Sequence, residues 1–318
     1  MIRTEICEIL GIKYPVIQGG MAWVANAELA AAVSNGGGLG LIAGGAAPAE
    51  VIEKEIETAR MLTDKPFGVN IMLLSPNADD LAQMVIDKRV KVVTTGAGMP
   101  SKYIGKWKEA GIRVIPVVPS ANIAKRMERL GADAVIAEGT ESGGHIGEIT
   151  TMALIPQVCD AVGVPVIAAG GIGDGRGFAA ALMLGAKGVQ IGTLFLSAQE
   201  CCIHRNYKEL LFKAKDTDTV VTGREGGHPV RSLKCRFTKR LEELVKSNAS
   251  LEEVEAAMAG SLRKAVQEGN LDEGTFMAGQ IAGMIKEERP AKEILDTLME
   301  QAAVLLVNFR ELRGVTIG

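Results

Sequence analysis

Pro165-Val166-Ile167-Ala168-Ala169-Gly170-Gly171-Ile172-Gly173-Asp174-Gly175-Arg176-Gly177, followed by Gly188-Val189-Gln190-Ile191-Gly192-Thr193, holds two short apolar runs, each leaving into glycine. A run apolar at every position suits a strand buried on both faces, as in a parallel sheet. A glycine at its exit lets the backbone approach a ligand with no Cβ in the way.

Working outward, the same grammar recurs. Runs at 15–18, 40–43, 67–72, 90–94, 114–118 and 134–137 precede the two at 164–168 and 188–191. Helix-patterned segments at 27–34, 48–63, 78–88, 101–110, 121–130, 152–162 and 177–184 lie between them. Eightfold strand–helix alternation predicts an α/β fold, the (β/α)8 TIM barrel, with an open doubly wound sheet as the rival. The exits decide between them. Gly19-Gly20, Gly44-Gly45, Gly96, Gly139, Gly170-Gly171 and Gly192 follow most of the runs. A closed barrel gathers all of these on one face, where its active site belongs, whereas an open sheet concentrates them at one switch point.

If the two quoted runs are strands seven and eight, their loops are where barrel enzymes often bind phosphate. The bare amides of Gly170, Gly171 and Gly192, with the Thr193 hydroxyl and a helix dipole, can surround one. Flavin mononucleotide, a sugar phosphate and a nucleotide all suit that grip. The Gly171–Arg176 segment imitates a dinucleotide fingerprint but lacks the downstream acid on a second strand, so a Rossmann reading is rejected.

The run at 134–137 leads into Glu138-Gly139-Thr140-Glu141-Ser142-Gly143-Gly144-His145-Ile146-Gly147. A titratable imidazole in a flexible, ligand-hugging loop is what proton transfer needs. The competing reading is a histidine that caps the following helix. His204 and His228 lie outside the barrel motifs and read as structural, with lid or substrate contact as the alternative.

From about residue 197 the grammar changes. Residues 205–240 hold ten Lys/Arg against four acids, a local excess of +6 in a chain of net −3. The expected layout is a barrel over 1–199 that carries the active site and is completed by about 285–318, with a last helix over 291–312. A smaller, mainly helical and basic insert over about 200–284 then covers the barrel mouth. The overall charge argues against nucleic acid or a membrane surface as the main partner. No stretch is apolar enough to span a bilayer, and the N-terminus has no signal-peptide core. Five cysteines without CxxC spacing favour reduced thiols in a cytoplasm and no structural metal site.

Taken together, Gln18-Gly-Gly-Met21-Ala22, Phe67-Gly-Val-Asn70, Glu141–Gly147, the 165–177 segment and Gln190-Ile-Gly192-Thr193 resemble the FMN-dependent nitronate monooxygenase and enoyl-reductase group. Glu200–Lys208, Lys213–Thr219, Gly227–Arg231 and Ala278–Gly283 resemble its enoyl-acyl-carrier-protein reductase II branch. The resemblance implies bound FMN, NADH as reductant and a trans-2-enoyl thioester on acyl carrier protein as substrate. It also implies a homodimer and stimulation by a monovalent cation (K+ or NH4+).

By motif, Gly20, Met21 and Ala22 are expected to line the flavin ring, with Asn70 bonded near it and Thr95 and Glu138 in the surrounding wall. Ser142 and Gly143 border the ring, and Gly170, Gly171, Gly192 and Thr193 take the phosphate. The implied reaction is a hydride relay from NADH through the flavin to the enoyl β-carbon. His145 then protonates the α-carbon or polarises the thioester carbonyl. The alternative is nitronate oxidation by O2, with the same histidine acting as a base.

Overall fold

The computed structural model describes residues 2–45, 47–224, 226–247 and 249–307. Helix α1 (Glu5–Leu10) opens the chain, and strands β1 (Val16–Gln18), β2 (Gly40–Ala43), β3 (Phe67–Met72), β4 (Val92–Gly96), β5 (Arg113–Val118) and β6 (Val135–Glu138) follow. A two-residue strand, β7 (Gly144–His145), comes before β8 (Val166–Ala169) and β9 (Gly188–Ile191). All of these except β7 form one parallel sheet in the order β1-β9-β8-β6-β5-β4-β3-β2. The edges meet where Gln18 N donates to Leu39 O and Leu39 N to Val16 O, both at 2.9 Å. The sheet is therefore the closed eight-stranded barrel that the glycine exits predicted.

Helices α2 (Ala27–Gly36), α3 (Ala49–Leu62), α4 (Ala78–Asp87), α5 (Ile104–Glu109), α6 (Ala121–Arg129), α7 (Thr151–Cys159) and α8 (Gly175–Met183) ring the barrel. Local chemistry starts several of them. Asn26 accepts from Leu29 N at 3.1 Å at the start of α2, and Ser120 from Ile123 N at 3.4 Å at the start of α6, each satisfying an otherwise orphan amide. The barrel interior is packed with Ile17, Leu41, Val92, Ile115, Ile136 and Ile167, and α1 plugs its N-terminal end with Ile6 and Leu10. At Gly40 an added Cβ would stand 1.9 Å from Ala30 O, so glycine is what lets α2 lie directly on β2.

The chain then leaves the barrel for α9 (Arg205–Lys213), strands β10 (Thr219–Thr222) and β11 (Val230–Leu233), helices α10 (Arg236–Lys246) and α11 (Leu251–Met258), and α12 (Ser261–Arg263), which runs into a π turn. Helix α13 (Ala291–Val307) returns to pack between α8 and α2 as the eighth barrel helix. The part of the expected last helix beyond 307 lies outside the described residues. The β10–β11 hairpin was not anticipated. It pairs antiparallel with β7 and so joins the insert to the histidine loop of the barrel.

Candidate active site

The histidine loop is built by packing from both sides. Glu141 turns back over it, its carboxylate accepting from Thr151 N (2.9 Å) and Thr151 Oγ1 (2.8 Å) at the start of α7. Glu141 therefore fills the role that the helix-capping reading gave to His145. Gly143 has no room for a side chain: its Cβ would lie 2.7 Å from Ala278 C and Gly279 N. Gly144 takes a left-handed φ of 76°, which turns the chain into β7. His145 there sits opposite Val230 of β11 and stays open to solvent on one side. Its proton affinity is held below the ordinary histidine value, first by burial of the rest of the ring and then by the charge of His228.

That second influence marks a residue that sequence reading set aside as structural. His204, also set aside, does cap α9, its Nδ1 accepting from Asn206 N at 3.1 Å. His228 instead lies exposed in the turn between β10 and β11, its N–H donating to Gly223 O at 3.1 Å.

On the opposite wall, Gly20 exists to let Asn70 in, since an added Cβ would come 2.3 Å from Asn70 Cβ. Asn70 Oδ1 accepts from Thr94 Oγ1 at 2.9 Å, which fixes the amide and presents its NH2 for other work. Thr95, the next residue of β4, is buried. Met21 packs against Gly192, and Ala22 against Gly45.

Glu138, at the end of β6, is pushed up to about 7 by burial. The Ser142 hydroxyl pulls the other way but stands outside hydrogen-bond geometry, which leaves Ser142 Oγ a buried polar atom without a partner. A native interior rarely tolerates such an atom unless something else is meant to bind there.

Gly170 and Gly171 adopt left-handed φ values of 89° and 72°, and with Gly192 their amides donate to no protein acceptor among the described residues. Thr193 Oγ1 accepts from Gly279 N at 2.9 Å, so its own proton remains free to donate. The expected help from the α8 dipole is reduced. Asp174 accepts from Arg176 N (2.9 Å) and Gly177 N (3.3 Å), and Gln301 Oε1 takes Gly175 N (3.0 Å). The first amides of α8 are thus satisfied within the protein.

A phosphorylated, ring-bearing group fits this set. Open amides and a free hydroxyl stand at the exits of β8 and β9, an anchored amide on β3, and an orphaned hydroxyl beside the histidine loop. A cavity of about 360 Å³ between α8 and the start of α13 is lined by Arg176, Lys286 and Arg289 but includes none of these groups. The chemistry lies at the barrel mouth.

The surface charge is less available than counting suggests. Arg231 is buried, its guanidinium donating to Thr140 O (3.2 and 3.1 Å) and Thr219 Oγ1 (3.3 Å). Lys208 is likewise buried against Ala198 O and Glu288. The exposed basic residues of this stretch include Lys234, Lys239 and Arg240. All five cysteines are free, and burial pushes the Cys201 thiol up to about 12, which leaves it unreactive at neutral pH. Among the described residues no helix is long and apolar enough to cross a membrane, and no cluster of metal-ligating side chains occurs.

A closed parallel barrel carries the His145 loop and the open amides of Gly170, Gly171 and Gly192 at the C-terminal ends of its strands, and comparison assigns its family. The chain belongs to the nitronate monooxygenase family, whose model matches residues 3–86 and 81–301. Among solved structures it is similar to FabK from Thermotoga maritima, at 50% identity and a TM-score of 0.95, covering 98% of this chain and 99% of that one. It is 34% identical to (3aS,4S,5R,7aS)-5-hydroxy-7a-methyl-1-oxo-octahydro-1H-indene-4-carboxyl-CoA dehydrogenase of Mycobacterium tuberculosis, over 95% of this chain and 96% of that one. A Staphylococcus saprophyticus protein described as "Probable nitronate monooxygenase" is also 34% identical, over 95% and 98%. The last two relatives carry the names of oxidoreductases, a dehydrogenase and a monooxygenase.

Proposed function

We propose that this protein reduces trans-2-enoyl-acyl carrier protein to acyl-acyl carrier protein with NADH and bound FMN, as a cytoplasmic homodimer. The observation that supports the reading is Gly279, which bonds Thr193 Oγ1 through its N–H and packs against Gly143 of the histidine loop, so that loop and the exit of β9 share one neighbour. Half the sequence is shared with FabK, of the enoyl-acyl-carrier-protein reductase II type. The Mycobacterium tuberculosis relative is named for a carboxyl-CoA thioester, which agrees with a thioester site.

FMN bound here would supply the hydride relay from NADH to the enoyl β-carbon. The protein's own part is binding, orientation and proton control. Gly170, Gly171 and Gly192 amides and the Thr193 hydroxyl hold the phosphate. Asn70, fixed through Thr94, and Ser142, with its free hydroxyl, serve the polar edges of the ring, with Gly20, Met21, Ala22, Thr95, Glu138 and Gly143 as its walls.

Because its proton affinity is depressed, His145 is mainly neutral at neutral pH and still carries one N–H. That N–H suits polarisation of the thioester carbonyl followed by proton delivery to the α-carbon, a role that contributes roughly 10²–10⁴-fold. The segment 200–284 forms the lid over the mouth. Its exposed Lys234, Lys239 and Arg240 are the dock for the acidic carrier protein, and charge there acts mainly on association rate.

Nitronate oxidation is the second reading. The family match and the Staphylococcus relative favour it, and a mainly neutral His145 is also a competent base. Steady-state assay separates the two. NADH oxidation that depends on crotonyl-carrier substrate and is insensitive to O2 supports the enoyl reductase. O2 consumption with an alkyl nitronate and no need for NADH supports the monooxygenase. Charge reversal of Lys234 and Lys239 should raise the KM for carrier-bound substrate in a salt-sensitive way and leave the KM for NADH unchanged. An unchanged carrier KM would remove the docking role.

A further inference from the structure

A second concavity lies outside the mouth. The cavity of about 360 Å³ between α8 and the start of α13 falls within the size of small-molecule sites, about 300–1,000 Å³. None of His145, Asn70, Gly170, Gly171, Gly192 and Thr193 lines it. Its apolar lining is Leu194, Ile285, Ile294 and Leu298, all buried, together with the half-exposed Met284. Its charged lining is Asp174, Arg176, Lys286, Glu287 and Arg289.

Arg289 is held in this wall by its backbone. Its N donates to Ser197 O at 3.2 Å, and its carbonyl accepts from Gln199 N at 3.0 Å. The side chain is less well served. Nε is shut off from solvent and donates to nothing among the described residues. The carboxylates of Glu287 and Glu293 approach the guanidinium at 3.8 and 4.0 Å, beyond hydrogen-bond distance, and both stand mostly in water. Ion pairs of that kind contribute little, whereas a buried donor left unmade is costly and calls for a partner. The other two cations differ. Arg176 is closed on Asp174 at 2.6 Å. Lys286 Nζ spends one proton on Ala214 O at 2.7 Å and has others to give.

We infer that this cavity is a binding site for a small aliphatic monocarboxylate, its head taken by the Arg289 guanidinium with help from Lys286 and its body laid against Leu194, Ile294 and Leu298. A planar guanidinium matches a carboxylate with two parallel hydrogen bonds, and one of them would satisfy the unmade Nε donor. Charge selects the class of anion. Glu287 and Glu293 already stand near Arg289, so a doubly charged phosphate meets more repulsion there than a single carboxylate does. The apolar lining stabilises a hydrocarbon body that a bare inorganic anion lacks. The site depends on neither reading of the reaction at the mouth.

The test is isothermal titration of sodium hexanoate into the full-length protein as purified, with sodium phosphate and sodium chloride at equal ionic strength as the other probes. One hexanoate should bind per chain, and phosphate should not displace it. Arg289→Met should weaken binding at least tenfold. Arg289→Lys, which keeps the charge but not the fork, should weaken it by a smaller factor. Without ligand, the Tm of Arg289→Met should match or exceed that of the parent, because the variant removes an unmade donor. Crystals soaked in hexanoate should show its carboxylate at Arg289. No binding by the parent, equal affinity in the parent and both variants, or hexanoate seated in the barrel mouth would overturn the inference. A lower Tm of Arg289→Met without ligand would do the same, since it would assign the guanidinium to Glu287 and Glu293. Displacement of hexanoate by phosphate would overturn the carboxylate assignment.

Discussion

Arg231 donates from Nε and Nη2, one edge of its guanidinium, to the carbonyl of Thr140, at 3.2 and 3.1 Å. One residue belongs to the hairpin of the insert and the other to the loop that ends in His145. The contact is a buried strut between the two parts of the chain. Replacing Arg231 by Met should leave Thr140 O unpaired and cost about 1–3 kcal/mol. Hydrogen exchange over residues 139–147 should rise, and kcat should fall with it. A lysine, a single donor with different geometry, should recover only part of either loss.

Glu138→Gln tests the buried carboxyl at the end of β6. Its folded-state value of about 7 lies above the ordinary 4.5, so between those limits the folded chain holds a proton that the unfolded chain has lost. That stabilising contribution is complete below the unfolded value and disappears as pH rises through about 7, a swing of about 3 kcal/mol at most. Glutamine carries no such charge. Denaturant melts should show the variant close to the parent near about pH 4 and more stable than the parent near about pH 8.

Gly20→Ala tests the close approach to Asn70. The added Cβ, 2.3 Å from Asn70 Cβ, must displace that side chain and the Thr94 hydroxyl bonded to it. A loss of about 1–3 kcal/mol is expected, as for other overpacked sites. Flavin content after purification should fall more steeply than Tm. Full flavin content would show that Asn70 is not part of the ring site.

Thr193→Val and Thr193→Ser separate phosphate binding from packing. Valine strands the buried Gly279 N–H, now 2.9 Å from Thr193 Oγ1, at a cost of about 1–3 kcal/mol, and removes a phosphate donor as well. Serine keeps the hydroxyl. Dialysis against FMN-free buffer should strip flavin from the valine variant and spare the serine variant.

The barrel was legible because strands buried on both faces write continuous apolar runs, and because each exit to the mouth is opened by glycine. Boundaries were less so. The run at 90–94 became Val92–Gly96, because Arg89 takes a left-handed turn and Val90 N bonds back to Val85 O, leaving Val90 in the exit of α4. The hairpin was hidden for a different reason. Thr219–Thr222 and Val230–Leu233 are four residues each in a strongly charged stretch, and their pairing with Gly144–His145 is long-range. Charge counting includes Arg231 in the basic excess of residues 205–240, but a charge sum carries no information about burial, and Arg231 is buried.

Anaerobic mixing with spectral detection tests the central claim most directly. The purified, flavin-loaded protein should lose its yellow absorbance on addition of NADH and regain it on addition of crotonyl-acyl carrier protein, and regain it slowly or not at all in His145→Ala. Reoxidation by O2 alone, with bleaching by an alkyl nitronate and none by NADH, would contradict the account.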